Sequence, residues 1–97
     1  MRNKIDYAIL QRCLNDESFG WEDFVDRFMS PVLHVVKETA RMRQRSLDES
    51  RIRQYCEAVF RAFRYNNCQL LREFEYRSSL LTYLIILTRR LTIAFLK

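Results

Sequence analysis

The chain has 97 residues, 48% of them hydrophobic and 13% aromatic, so it can fold as one small domain with its own core. A single Gly and a single Pro exclude glycine-rich phosphate-binding loops and favour long helices joined by polar connections. Residues 51–97 carry 9 basic and 3 acidic side chains, against 8 and 9 in residues 1–50, within a net charge of +5. Such clustering is typical of proteins that bind nucleic acid; a solubilising basic surface is the alternative.

Two helices are predicted in the first half of the chain. A short first helix, ending in the polar stretch 15–18, is marked by Ile5, Ala8, Ile9 and Cys13. The second has an apolar stripe in steps of three and four and reaches about Arg43. Pro31 lies inside it, and a mid-helix proline removes a backbone donor, so we expect one bent helix or two in near continuation. The stripe comprises Trp21, Phe24, Val25, Phe28, Val32, Val35 and Val36.

A third helix is predicted from Ser46, because Ser46 and Glu49 have the spacing of a capping box. Asn66 and Asn67 are expected to end it. Its apolar face comprises Ile52, Tyr55, Cys56, Val59, Phe60 and Phe63. Its opposite face carries Arg53, Gln54, Glu57, Arg61 and Arg64.

The last quarter of the chain predicts a short helical turn, an ordered loop and a final helix. Leu70, Leu71 and Phe74 anchor residues 68–77, and Ser78 or Ser79 is expected to cap the final helix. We expect the inward face of that helix to be Leu80, Leu84, Leu87, Leu91 and Phe95, flanked by Leu81, Ile85 and Thr88. The fold class predicted is all-α, a small bundle of three to four helices.

The sequence indicates neither a catalytic nor a metal-binding centre. Cys13, Cys56 and Cys68 lack the spacing of a zinc site, and His34 is the only histidine. We expect free thiols in a reducing cytoplasm, with Cys13 and Cys56 buried. The apolar run 80–87 is too short to span a membrane. We therefore expect a cytoplasmic protein with no cofactor, no enzymatic activity and no membrane partner.

Several motifs resemble region 2 of bacterial RNA polymerase sigma factors of the extracytoplasmic-function type. The family has a D-x-x-Q-E-x-F helix, then F-x-G-x-S with T-W-L or T-Y-L, then an I-A-R-x helix. The run EAVFRAF matches the first pattern and LLREFEYRSSLLTYLIILTRRL the others. Trp21, Phe24, Phe28 and Pro31 agree more loosely with an earlier helix. The resemblance covers residues 18–97 and is strongest over 46–97.

The resemblance implies one region 2 domain over residues 1–97, without the C-terminal promoter-binding domain. It implies a transcription initiation module that binds core RNA polymerase, on the clamp helices of the largest subunit, and recognises and melts the minus-ten promoter element. An anti-sigma protein is a further partner that it implies. The polymerase-binding residues would be Arg53, Gln54, Glu57, Arg61 and Arg64. The DNA-binding residues would be Tyr76, Arg77, Ser78, Ser79, Thr82, Tyr83, Arg89 and Arg90.

The DNA-binding residue types suit that chemistry independently. Arginines neutralise phosphates, hydroxyls hydrogen-bond backbone or base edges, and tyrosine rings offer stacking faces to unpaired bases. Four positions depart from the family. Arg53 and Cys56 stand where it usually has Asp and Gln, Tyr76 replaces the loop glycine, and Arg90 replaces an Asn. The alternative hypothesis is a sigma-like helical module that binds a protein partner and has no promoter activity.

Overall fold

The computed structural model describes residues 3–97, which contain four helices and no strand. The predicted all-α class is therefore confirmed for this part of the chain. No helix among these residues has both the length and the apolar character needed to cross a membrane. The helices are α1 (Lys4–Leu14), α2 (Gly20–Met42), α3 (Glu49–Arg72) and α4 (Leu80–Phe95).

The central element is α2, which packs against each of the other three helices. Its predicted stripe forms the core, since Phe24 and Val36 are fully buried and Phe28 nearly so. Phe24 contacts Phe28 and Phe63 with ring centroids 4.9 and 6.3 Å apart. The helix continues through Pro31 as one element.

The short helix α1 is fixed to α2 by an ion pair and by a close backbone approach. Arg27 donates from Nε to Oδ1 of the buried Asp6 at 2.8 Å. Gly20 lies so near α1 that a Cβ there would come within 2.6 Å of the Arg12 carbonyl oxygen. The predicted α1 stripe is partly right: Cys13 is buried, but Ile5 is 60% exposed, and the buried Leu10 was not predicted.

The predicted capping box at the start of α3 is wrong. Asp48 is the N-cap, and its carboxylate accepts from the Arg51 backbone N–H at 2.8 Å. Ser46 lies in the preceding connection, exposed. Asp and Ser are about equally good N-cap residues. Asp48 directly precedes the first helical turn, so its carboxylate accepts from the free backbone N–H there.

The predicted end of the third helix at Asn66 and Asn67 corresponds to a break within α3. Tyr65 has an extended ψ of 140°, and Asn66, Asn67 and Cys68 follow with φ of 55°, 57° and 60°. Asn takes up the left-handed conformation more readily than most residues, which explains why the break falls there. The short helical segment after it buries Leu71, as predicted.

The inward face of α4 is rotated from the predicted one. Leu80, Leu84, Thr88 and Thr92 are buried, whereas Leu87, Leu91 and Phe95 are half-buried. The two threonines can be buried because each hydroxyl donates to a carbonyl one turn earlier, Thr88 to Leu84 and Thr92 to Thr88, both at 2.7 Å. Ser79 caps the helix, as predicted, by accepting from the Thr82 backbone N–H at 3.0 Å.

All three cysteines are buried free thiols, Cys13 and Cys56 as predicted. Cys13 and Cys68 line one small cavity between α1 and the α3 break. Burial, together with the neighbouring Cys68, raises the pKa of Cys13 from 9.0 to about 12.

Gly20→Ala is expected to destabilise the chain by about 1–3 kcal/mol, because its methyl group would meet the Arg12 backbone rather than a movable side chain. Urea denaturation would measure the change. Ser50→Ala, at an exposed position in the first turn of α3, is the control and should change stability by less than about 0.5 kcal/mol. Equal stability of the two variants would contradict the close approach.

The free energy of unfolding is expected to fall as the pH rises above about 9. The folded chain keeps the Cys13 proton up to a pKa of about 12, whereas the unfolded chain releases it near 9.0, so alkali favours unfolding. Urea midpoints at about pH 8 and pH 10.5 would be compared between the wild type and Cys13→Ala. The urea midpoint should fall less between the two pH values in Cys13→Ala than in the wild type. Equal falls would contradict the assignment of this pH dependence to Cys13.

Candidate nucleic-acid interface and docking groove

The predicted DNA-binding hydroxyls lie where the α3–α4 loop, residues 73–79, enters α4. Ser79 Oγ donates to Thr82 Oγ1 at 2.9 Å, and Ser78 Oγ donates to the Ser79 carbonyl at 3.1 Å. Ser78 and Thr82 are exposed, and Ser79 is half-buried. The structure therefore brings these three hydroxyls together at one helix N-terminus, with acceptor lone pairs left for a ligand.

Tyr76 lies in the middle of the α3–α4 loop with its backbone in the left-handed region, at φ 62°. A side chain at this conformation costs about 1–2 kcal/mol, which glycine would avoid. The ring contacts Phe74 and Tyr7, with centroids 4.6 and 5.4 Å apart, and its hydroxyl accepts from Gln11 Nε2 at 3.0 Å. Tyr76 thus adopts a conformation that glycine takes without cost, and its contacts offset the cost for a tyrosine.

Tyr83, the second tyrosine predicted to bind DNA, is less open than Tyr76. Its ring is half-buried against Phe74, with centroids 5.0 Å apart, and its hydroxyl donates to the Leu70 carbonyl at 2.6 Å. Burial raises the pKa of Tyr83. This side chain therefore anchors the segment before α4 to the core, with part of its surface left exposed.

The three predicted phosphate-binding arginines are exposed. The side chain of Arg77 is 84% exposed, and its nearest ionic neighbour is Glu75, 3.9 Å from Nε to Oε1. Arg89 and Arg90 are exposed on α4, and neither forms an ion pair within residues 3–97. The α4 helix contains no acidic residue. Thr82 and Arg89, seven residues apart, share one face of the helix and are separated by roughly 10 Å along it.

The predicted polymerase-binding residues are all exposed on α3. Four of them line a groove between α2 and α3, formed by two adjoining cavities of about 570 and 470 Å³. Gln54 is exposed but does not line it. The four are Arg53, Glu57, Arg61 and Arg64.

The floor of this α2–α3 groove is apolar and includes residues that the sequence did not single out as functional. Trp21 is half-buried there, and the Arg64 guanidinium carbon lies 5.0 Å from its ring centroid. Met29 is 37% exposed and lines both cavities. Hydrophobic periodicity assigned Trp21 to the core and does not show which core residues stay partly open. Cys56, expected at a family docking position, is only 3% exposed, so it contributes to the floor and not to the polar rim.

Neither surface carries a metal centre. Residues 3–97 contain no group of three or more His, Cys, Asp or Glu side chains that could hold a metal ion. What the arrangement offers chemically is hydrogen bonding, charge and an apolar groove.

Comparison with known proteins adds no relative to this description. Protein-family models, curated proteins and solved structures were each searched, and none of them matched the chain. The two surfaces, one basic and hydroxyl-bearing and one apolar with a charged rim, are therefore interpreted from their own residues.

Proposed function

We propose that this chain is a sigma-like transcription initiation module that binds core RNA polymerase and unpaired promoter DNA. The observation that carries the proposal is the exposed set of hydroxyl and guanidinium groups on the α3–α4 loop and α4. It combines Ser78 and Thr82 with three arginines, of which Arg89 and Arg90 have no ionic partner within residues 3–97. Groups of these types bind a nucleic-acid backbone, and the resemblance to region 2 indicates the same surface.

Single-stranded DNA is the form of nucleic acid that this surface fits best. Its phosphates would contact Arg77, Arg89 and Arg90, and its bases would meet the hydroxyls at the start of α4. Tyr76, a residue 44% exposed, carries the one aromatic ring of the loop that is not buried. Holding unpaired bases here would offset the few kcal/mol of unstacking, most easily at flexible TA steps of a minus-ten element.

The α2–α3 groove is the proposed polymerase-docking surface. A helix of the partner would lie on the apolar floor and face the charged rim of α3, as in other helix-in-groove complexes. The clamp helices of the largest polymerase subunit are the partner implied by the resemblance. Such a complex forms in the cytoplasm, where we propose that the chain acts.

The second candidate function is a protein-interaction module without promoter activity. It is favoured by Arg53, which is exposed on the groove rim and carries the charge opposite to that usual in the family. A large apolar patch on α4 would favour it further. However, the exposed large apolar residues of α4 are Leu81 and Ile86, each under 40% exposed. Being five positions apart, they lie on different sides of the helix.

Polymerase docking is tested by reversing charge on the groove rim. Arg61→Glu with Arg64→Glu is expected to reduce capture of core RNA polymerase by at least about tenfold, since the double change reverses two rim charges and removes the contact with Trp21. The control is Arg43→Glu with Arg45→Glu, the same charge change at exposed positions outside the groove. An Arg53→Asp variant restores the charge usual in the family. Capture by that variant alone would favour the second function.

DNA binding is tested through its dependence on salt. Arg89→Ala with Arg90→Ala is expected to weaken binding of a single-stranded minus-ten oligonucleotide and to flatten the plot of log affinity against log salt. The slope should fall by roughly 0.7 for each lost phosphate contact. Arg43→Ala with Arg45→Ala, equal in charge, should leave the slope near that of the wild type. An unchanged slope in the first variant would remove these two arginines from the DNA surface.

A further inference from the structure

The α3–α4 loop is held by a helix that lies far away in sequence. Tyr76 has three close partners, and two of them, Tyr7 and Gln11, belong to α1. The hydrogen bond between Gln11 and Tyr76 joins residues 65 positions apart. Residues 3–14 precede residues 18–97, where the matching motifs lie, so those motifs assign them no role.

The helix α1 is itself well fixed. Its inner face is buried through Leu10, 1% exposed, and Asp6 is paired with Arg27 of α2. Its C-terminal end is tied to the segment leading into the loop, because Arg72 donates from Nη2 to the Leu14 carbonyl at 2.6 Å. A loop side chain attached to α1 is therefore attached to the core of the protein.

Arg77, the residue that follows Tyr76, is an exposed arginine of the proposed DNA surface. The Arg77 side chain is 84% exposed, and its ionic neighbour Glu75 lies 3.9 Å away, from Nε to Oε1. Few contacts of its own fix its direction, so the backbone conformation of Tyr76 decides where Arg77 and Ser78 leave the loop. A left-handed residue with a side chain keeps that conformation only while its surroundings impose it.

We propose that Tyr7 and Gln11 are positioning residues for the DNA-binding loop: they hold Tyr76 in its left-handed conformation and thereby orient Arg77 and Ser78 before DNA binds. The expected effect on DNA binding rests on the proposed function, whereas the expected effect on the loop rests on the geometry alone. Tyr76 acts here as a tether as well as a half-exposed ring. Without the tether, DNA has to order the loop as it binds, which lowers affinity but removes no phosphate contact.

The test uses Gln11→Leu, which removes the donor from an exposed position, and Tyr76→Phe, which removes the acceptor and keeps the ring. Backbone ¹⁵N order parameters of residues 75–78 are measured without DNA. Affinity for a single-stranded oligonucleotide is measured at several salt concentrations. Ala8→Gln, on the exposed side of the same helix, is the control.

In both variants we expect lower order parameters for residues 75–78 and affinity weakened about threefold to tenfold, with the salt slope unchanged. Unchanged order parameters would overturn the inference. So would a reduced salt slope in Tyr76→Phe or Gln11→Leu, because it would indicate loss of a phosphate contact. If the wild type binds no single-stranded DNA, the proposed function is contradicted, and the order parameters still decide whether α1 fixes the loop.

Discussion

The structure depends on one constraint above all, the burial of the apolar stripe of α2 from three sides. Phe24, Phe28 and Val36 lie on this stripe and are buried, in the one helix of residues 3–97 that packs extensively against all three others. Burying a side chain of this size contributes roughly 1.5–3 kcal/mol, so a few such positions account for much of the stability that a small domain has. Packing against α2 therefore sets the positions of the other three helices, and with them the positions of the surfaces on α3 and α4.

This arrangement separates the two candidate surfaces. The groove lies between α2 and α3, and its lining includes no residue of α4. The exposed arginines of α4 lie on the side of that helix turned away from its buried stripe. A protein helix in the groove would thus leave the basic surface open. A module that must hold a protein and a nucleic acid at the same time needs this separation, whereas a simple interaction module does not.

Hydrophobic periodicity predicted the helices well and the site less well. The stripes of α2 and α3 and the Ser79 cap were predicted because each depends on near neighbours in sequence. The prediction of the inward face of α4 was wrong because the buried threonines hydrogen-bond their hydroxyls to carbonyls within the helix. The periodicity of apolar residues does not reveal such positions. The partner of Tyr83 was not predictable for a related reason: the carbonyl that accepts its hydrogen bond belongs to Leu70, in another element.

The contacts across long sequence separations were beyond prediction. No residue near Tyr76 in the sequence indicates that Gln11 is its hydrogen-bond partner. The close approach of α1 to Gly20 likewise follows only from the tertiary arrangement. The openness of the groove at Trp21 and Met29 likewise depends on how far α2 and α3 separate, a distance that no single segment encodes. The fold could thus be predicted from local pattern, but the site depends on packing between helices.

The break in α3 has a consequence for how this chain can change in length. In an unbroken helix one inserted residue rotates everything after it by about 100°, so an insertion in α3 would turn the loop and α4 away from the core. Asn66, Asn67 and Cys68 lie outside the helical register, and the segment after them is positioned separately by Leu71 and Arg72. The break therefore uncouples the register of the groove-lining half of α3 from that of the loop, and a gain or loss of one residue there can be absorbed locally.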